Sequence, residues 1–358
     1  MKRLEWVVLK WWMTAALAVL VAMLVASMPV GAQQKYAHDI KGLNFGFITF
    51  GNASEYQIAQ GAWFKKFAEQ EGAKVTVIDG ASSPVTQVNA MDDLVAKGVD
   101  GILIQPFDAV AVAPSIQEAR RAGIPVLVVG GLPDPESPVP SAVFNDEALV
   151  RQAARKAVDW LRTNKPGEKA RLVLFDIPSI VVCHEWRMVA FRDEIIKLMG
   201  KENVKDVLND FVDHTLNVAV ARMEDLIQSG AKFNIFTACG GTGAIGGLDA
   251  LTAAGLAGAR DNVPTDVYVF SIDATPGEIA YLTNPKSSLV DTLALAPRNN
   301  ARVFLDQMKG ILSGAIDPDS AASVPAPGIL LPKACKAISE VLADQYAIVP
   351  GYQALSCQ

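Results

Sequence analysis

The chain predicts an α/β fold of two similar lobes, each a parallel sheet flanked by helices, joined by a three-segment hinge. Three observations carry that expectation. Residues 98–131 (GVDGILIQPFDAVAVAPSIQEARRAGIPVLVVGG) read as strand, helix and strand. Within about thirty residues that is a βαβ unit, whose two strands lie parallel. The same βα rhythm then restarts in a second series of similar length without sequence identity, the pattern of two doubly wound lobes. Finally, about 325 residues remain after an N-terminal export segment, too many for one compact core.

In order along the chain, Lys2, Arg3 and Lys10 precede an apolar run from Trp11 to Val30, then Val30-Gly31-Ala32. A basic start, an apolar stretch and a small-residue cleavage site read as a signal peptide spanning 1–32. An uncleaved anchor is the alternative, since the run is nearly long enough to span a bilayer. Strands are expected near 43–50, 74–79, 100–104, 125–129 and 141–144, with helices at 55–70, 84–97 and 109–122. The second series places strands near 170–175, 203–208, 233–237 and 267–271, and helices near 146–162, 185–198, 217–229 and 243–255. A strand near 287–293 and a helix near 299–313 follow, then a Pro-rich stretch from Pro318 to Pro332 that crosses between lobes. The first lobe takes 40–145 plus 296–328, and the second 146–295 plus 329–358. Hinge crossings fall at Phe144–Asn145, Leu295–Pro297 and Gly328–Leu330, and repeated crossings allow a cleft to close on a ligand.

Composition narrows the partners. The net charge is −6, and the export segment carries +2 of it, so the exported part carries −8. An acidic chain without a basic cluster argues against nucleic acid and anionic membrane surfaces. Three histidines and no C-x-x-C spacing argue against a metal site. Export permits disulfides. Cys335 and Cys357 flank a short C-terminal segment and are the preferred pair; Cys183 and Cys239 each follow a second-lobe strand and could also meet. Sequence alone does not fix the connectivity.

In open parallel sheets, ligands sit outside the carboxyl ends of the strands, where Gln105, Asp108, Gly130 and Gly131 fall. Four segments together make a specific pattern: Gly98 to Asp108, Ala122-Gly-Ile-Pro-Val126, Arg187-Met-Val-Ala-Phe191 and Phe270-Ser-Ile-Asp-Ala-Thr-Pro276. With the signal peptide, they make the chain similar to periplasmic sugar-binding proteins of the ribose-binding type, the type I substrate-binding proteins of ABC importers. The resemblance runs from about Gly42 to Ile329. It implies a periplasmic, monomeric, non-enzymatic receptor without a cofactor. Such a receptor captures a small sugar- or polyol-like ligand between its lobes and hands it to an inner-membrane permease.

Carried over residue by residue, the resemblance places binding roles on Asn52, Gln105, Arg187 and Asp273. The family's aromatic positions fall on Ser54, Glu55 and His214. Its Asp-Arg pair becomes Gly130-Gly131, an Asn becomes Gly240, and a Gln becomes Leu295. The expected contact set is therefore Asn52, Glu55, Gln105, Gly130, Gly131, Arg187, His214, Gly240 and Asp273. Carboxylates, amides and guanidinium groups pair with hydroxyls, while aromatic faces cover C–H surface. The loss of sugar-stacking aromatics weakens the expectation of an ordinary pyranose or furanose, and Glu55 with His214 suggests a charged or nitrogenous ligand.

Other motifs have plainer alternatives. Gly241-Thr-Gly-Ala-Ile-Gly246 is a literal G-x-G-x-x-G opening a helix, which would suit a dinucleotide-using enzyme, or simply a tight turn beside the cleft. Asp108 suits a helix N-cap better than a ligand contact. Glu55 also suits the first turn of its helix. Cys183 beside His184 could form a nucleophile and base, although a disulfide or inert thiol fits better. A sensory module of the same fold, signalling to a chemoreceptor or histidine kinase, would look identical in sequence.

Overall fold

The computed structural model describes residues 38–352 apart from Ala53, Asn145, 212–214, Pro327 and Ala334. The expected signal peptide, His214 and Cys357 therefore lie outside the described residues.

The first lobe is built on β1 (Asn44–Ile48), β2 (Lys74–Ile78), β3 (Gly101–Ile104), β4 (Val126–Val129) and β5 (Ser141–Phe144). Strand β13 (Ser323–Ala326) returns late in the chain to pair with β5, giving the order β13-β5-β4-β3-β1-β2, parallel throughout. β3 (GILI) and β4 (VLVV) are buried at every position, as parallel strands covered on both faces must be. Helices α1 (Glu55–Gln70), α2 (Pro84–Ala96) and α3 (Ala109–Arg121) connect them. Each begins at a side-chain cap: Ser54, Ser83 and Asp108 accept from backbone N–H groups of the first turn. The Asp108 carboxylate accepts from Val110 and Ala111, both at 3.0 Å, the cap role read from sequence.

The second lobe repeats the plan. Its strands are β6 (Ala170–Asp176), β7 (Val204–Phe211), β8 (Ile235–Ala238), β11 (Tyr268–Asp273), β12 (Leu289–Ala294) and β14 (Ile329–Pro332). They run in the order β14-β12-β11-β8-β6-β7, and only β14 is antiparallel to its neighbour. A small hairpin of β9 (Ala259–Arg260) and β10 (Val263–Pro264) stands apart. The helices are α4 (Glu147–Asn164), α5 (Ala190–Met199), α6 (Leu216–Gln228), α7 (Gly241–Ala253) and α8 (Pro276–Thr283). Ahead of α5 lies a π-helical stretch, Val182–Val189, so the expected helix at 185–198 starts earlier and with wider turns.

The chain passes between lobes after β5, between β12 and α9 (Pro297–Leu312), and between β13 and β14. Helix α9 packs back on α1 of the first lobe, and its Phe304 meets Phe47 of β1 edge-on. A final helix, α10 (Cys335–Tyr346), rests on α1 and α9 of the first lobe and on α8 of the second. The Pro-rich stretch thus carries two edge strands, positions where the missing N–H of proline is tolerated.

Candidate functional site

Both sheets direct the carboxyl ends of their parallel strands into one cleft. Its empty space measures about 680 Å³, the open mouth included. The first lobe lines it with the loops after β1 (Phe50, Gly51), β3 (Gln105, Pro106) and β4 (Gly130, Gly131), and with Phe144 at the end of β5. The second lobe contributes the loop after β6, the turn after β8 (Cys239, Gly240), Asp273 ending β11 and Leu295 after β12.

Arg187, carried by the π-helical stretch, is only 5% exposed. Its Nε donates to Asp146 Oδ2 at 2.8 Å and its Nη1 to the Cys239 carbonyl at 2.7 Å. Nη2 lies 2.7 Å from the same Asp146 oxygen, a second arm of the ion pair that lacks good hydrogen-bond geometry. The guanidinium also stands over the Phe144 ring, 5.6 Å from its centroid. Asp146, 1% exposed, has its pKa raised by burial, a push that the Arg187 charge opposes.

A disulfide joins Cys183 to Cys239 with the Cα atoms 5.3 Å apart, tying the Arg187-bearing stretch to the turn whose carbonyl Arg187 grips. The preferred sequence pairing of Cys335 with Cys357 falls on a residue outside those described. Cys183 is thereby not a thiol. His184 instead faces buried Asp176, Nδ1 to Oδ2 at 2.6 Å.

Asp273 sits at φ 113°, an unusual backbone for a side chain with a Cβ, and its Oδ2 accepts from the Gly241 N–H at 3.0 Å. Burial pushes its pKa up to about 6, against the pull of Arg187 and the Gly241 N–H. Behind it, Glu278 is fully buried and is pushed up to about 8 by burial and the Asp273 charge. Glu278 accepts from the Thr275 N–H at 2.8 Å and the Thr292 hydroxyl at 3.0 Å. A Cβ at Gly241 would overlap the Glu278 carboxylate, and one at Gly246 or Gly247 would overlap Ala219 or Phe236. The Gly-rich motif is thus used for close packing of α7 and for holding Asp273.

Six of the sequence-selected residues line the cleft together: Gln105, Gly130, Gly131, Arg187, Gly240 and Asp273. Gly130 has φ +69°, and a Cβ there would come within 2.9 Å of both Gln105 and Phe144. Gly131 faces open space. Gln105 is shaped by buried Gln87, which donates to its carbonyl at 2.8 Å and accepts from the Phe107 N–H at 2.8 Å. Asn52 does not line the cleft. It braces neighbouring loops, its N–H donating to Asp79 and its side chain accepting from Thr49. Glu55 lies at the lobe junction, where it accepts from the Gly277 N–H of α8, and partial burial raises its pKa.

Sequence reasoning missed Asp146, Tyr56, Gln57, Phe50 and the apolar loop after β6. Asp146 was legible in principle, because an arginine carried into a cleft needs a counter-charge. Tyr56 is buried under the cleft, its hydroxyl accepting from Gln60 at 2.6 Å and Asn300 at 3.0 Å.

Among known proteins, the family model described as the periplasmic binding protein domain matches residues 45–316. The ribose import binding protein of Bacillus subtilis (strain 168) is 24% identical over 254 residues, 70% of this chain and 75% of that protein. The galactofuranose-binding protein of Escherichia coli (strain K12) is 27% identical over 255 residues, 67% of this chain and 77% of that one. An ABC transporter solute-binding protein from Agrobacterium vitis, solved with bound allitol, superposes with TM-score 0.69 at 19% identity, covering 85% of this chain and 99% of its own.

Proposed function

Because the chain belongs to the periplasmic binding protein domain family, we propose that it is the solute receptor of an ABC importer: it captures a small neutral polyol in the cleft between its lobes and presents the closed form to an inner-membrane permease. The observation that carries this reading is the convergence of Gln105, Arg187 and Asp273, from two lobes, on one cavity beside the apolar surface of Phe50, Phe144, Ile177, Ile180 and Leu295. A pocket with few well-placed polar groups orients a ligand, and apolar surroundings make each hydrogen bond count. Closure follows when the ligand contacts both lobes at once, since only tighter binding to the closed state shifts the hinge. Relatives that carry ribose and galactofuranose in their names, and a structural neighbour holding allitol, agree with this substrate class. The export segment at 1–32 and the family's periplasmic setting support the same location.

The test is a thermal-shift screen of the exported form, purified without refolding, against pentoses, hexoses, their alditols and the corresponding acids, followed by calorimetry. A neutral sugar or polyol is expected to raise the melting temperature and to bind one to one. Stabilisation by none of them, with tight binding of an amino acid or nucleotide instead, would overturn the reading.

A further inference from the structure

The cleft lining combines an apolar wall with a few polar groups. In the second lobe, the stretch after β6 supplies Ile177, Ile180, Val182 and Cys183, which the disulfide joins to Cys239 after β8, while the polar side chains are Arg187, turned to Asp146, and Asp273. A fully hydroxylated sugar would turn hydroxyls toward that hydrocarbon and sulfur wall, and each hydroxyl without a partner carries the full cost of its lost hydration.

The polar groups have a definite chemistry. Gln57, Gln105 and Asp273 are each 8% exposed, and neither Gln57 Oε1 nor Gln105 Oε1 has a hydrogen-bond partner. Two buried amide oxygens and a carboxylate call for ligand donors, and Arg187 Nη2 supplies a donor in return. Charge is already balanced at Arg187 by Asp146, and Asp273 adds a second carboxylate. A ligand carboxylate would therefore face net negative charge in a low-dielectric site.

Resting on the receptor reading above, we infer that the ligand is a neutral amphipathic polyol, with two or three hydroxyls along one edge and methyl or methylene surface along the other, as in a deoxy-sugar or deoxy-alditol. Hydroxyls on the polar edge meet Gln57, Gln105, Arg187 and Asp273. The deoxygenated edge meets Ile177, Ile180, Val182 and the disulfide. This departs from the charged or nitrogenous ligand that Glu55 and His214 suggest in the sequence, because Glu55 is engaged with the opposite lobe at Gly277.

Matched pairs of probes test it by calorimetry on the unrefolded protein: D-galactose against 6-deoxy-D-galactose, L-mannose against 6-deoxy-L-mannose, and D-ribose against 2-deoxy-D-ribose, with D-galacturonate as the acidic control. In the pair that binds most tightly, the deoxy member is expected to bind at least about tenfold tighter than its parent, and galacturonate more weakly than galactose. A parent sugar that binds as well as or better than its deoxy partner, or an acid that binds best, overturns the inference while leaving the receptor reading standing. Binding by no member of any pair while another neutral sugar or polyol of the screen binds overturns this inference alone, and binding by no neutral sugar or polyol of the screen contradicts the receptor reading as well. Val182→Thr, which keeps the side-chain shape and adds a hydroxyl, is expected to shrink the preference for the deoxy member. Circular dichroism checks its fold, and an unchanged preference in a folded Val182→Thr protein overturns the assignment of the apolar wall.

Discussion

Arg187 is fixed by two groups far from it in sequence, Asp146 at the first lobe crossing and the carbonyl of Cys239 after β8. Removing the guanidinium leaves Asp146 buried without its counter-charge, so Arg187→Ala is expected to lower stability by about 3–5 kcal/mol in denaturant titrations. Gly130 is constrained twice, by its positive φ and by the space beside Gln105 and Phe144. Gly130→Ala is expected to cost about 1–3 kcal/mol and to weaken binding by moving Gln105, both measurable on one preparation. The carboxyl groups behind the cleft set a pH dependence. Asp273 rises from 3.8 to about 6 and Glu278 from 4.5 to about 8. The folded chain therefore holds these protons at pH values where the unfolded chain has released them. Their stabilisation is full in mild acid and is lost as pH rises from about 4 to about 8, by up to about 1.4 kcal/mol per pH unit for each proton. Glu278→Gln should flatten the upper part of that fall; an identical pH profile in the variant would contradict the placement of its proton. Neither group could be ranked from sequence, because burial and not residue type raises them.

The elements differ in how far the sequence reveals them. β3 and β4 are continuous apolar runs bounded by Gly and Pro, and the caps Ser83 and Asp108 stand immediately before their helices, so local chemistry alone marks them. The short helix α8 begins Pro-Gly and was hidden by its length, although Thr275 and Glu278 form a capping box that announces its start. β13, β14 and α10 follow proline-rich sequence and form only because distant strands and helices offer them an edge. The π-helical stretch has no periodic signature, yet it is what presents Arg187, in keeping with such stretches gathering at functional sites. Its anchor is the disulfide, which closes a separation of 56 residues. By the chain-entropy estimate, its removal in the double variant Cys183→Ser, Cys239→Ser costs about 4 kcal/mol. Reduced ligand affinity should accompany that loss, because the Arg187 stretch is then free of the β8 turn. A double variant with wild-type stability and affinity would remove the disulfide from this role.

For the whole molecule, the same strand order in both lobes brings two sets of strand ends face to face, and the site exists only between them. Sequence revealed the two series but not their contact, which depends on three crossings and on the last helix. Helix α10 reaches both lobes: Trp63 Nε1 of α1 donates to the Gln345 carbonyl at 2.6 Å, and the Tyr346 hydroxyl donates to the Asp273 carbonyl at 3.1 Å. Tyr346→Phe should therefore cost about 1 kcal/mol of stability, read by denaturant titration, and transmit to the cleft through Asp273 as weaker binding. The central claim is that a neutral polyol is gripped between the lobes by Arg187. Its most direct test is a calorimetric titration of the best-binding polyol into wild type, Arg187→Ala and Arg187→Lys, with the fold of each verified by circular dichroism. A loss of at least about a hundredfold is expected in the alanine variant and an intermediate loss in the lysine variant, which keeps the charge beside Asp146 but not the planar fork. Wild-type affinity in a folded Arg187→Ala protein would contradict it.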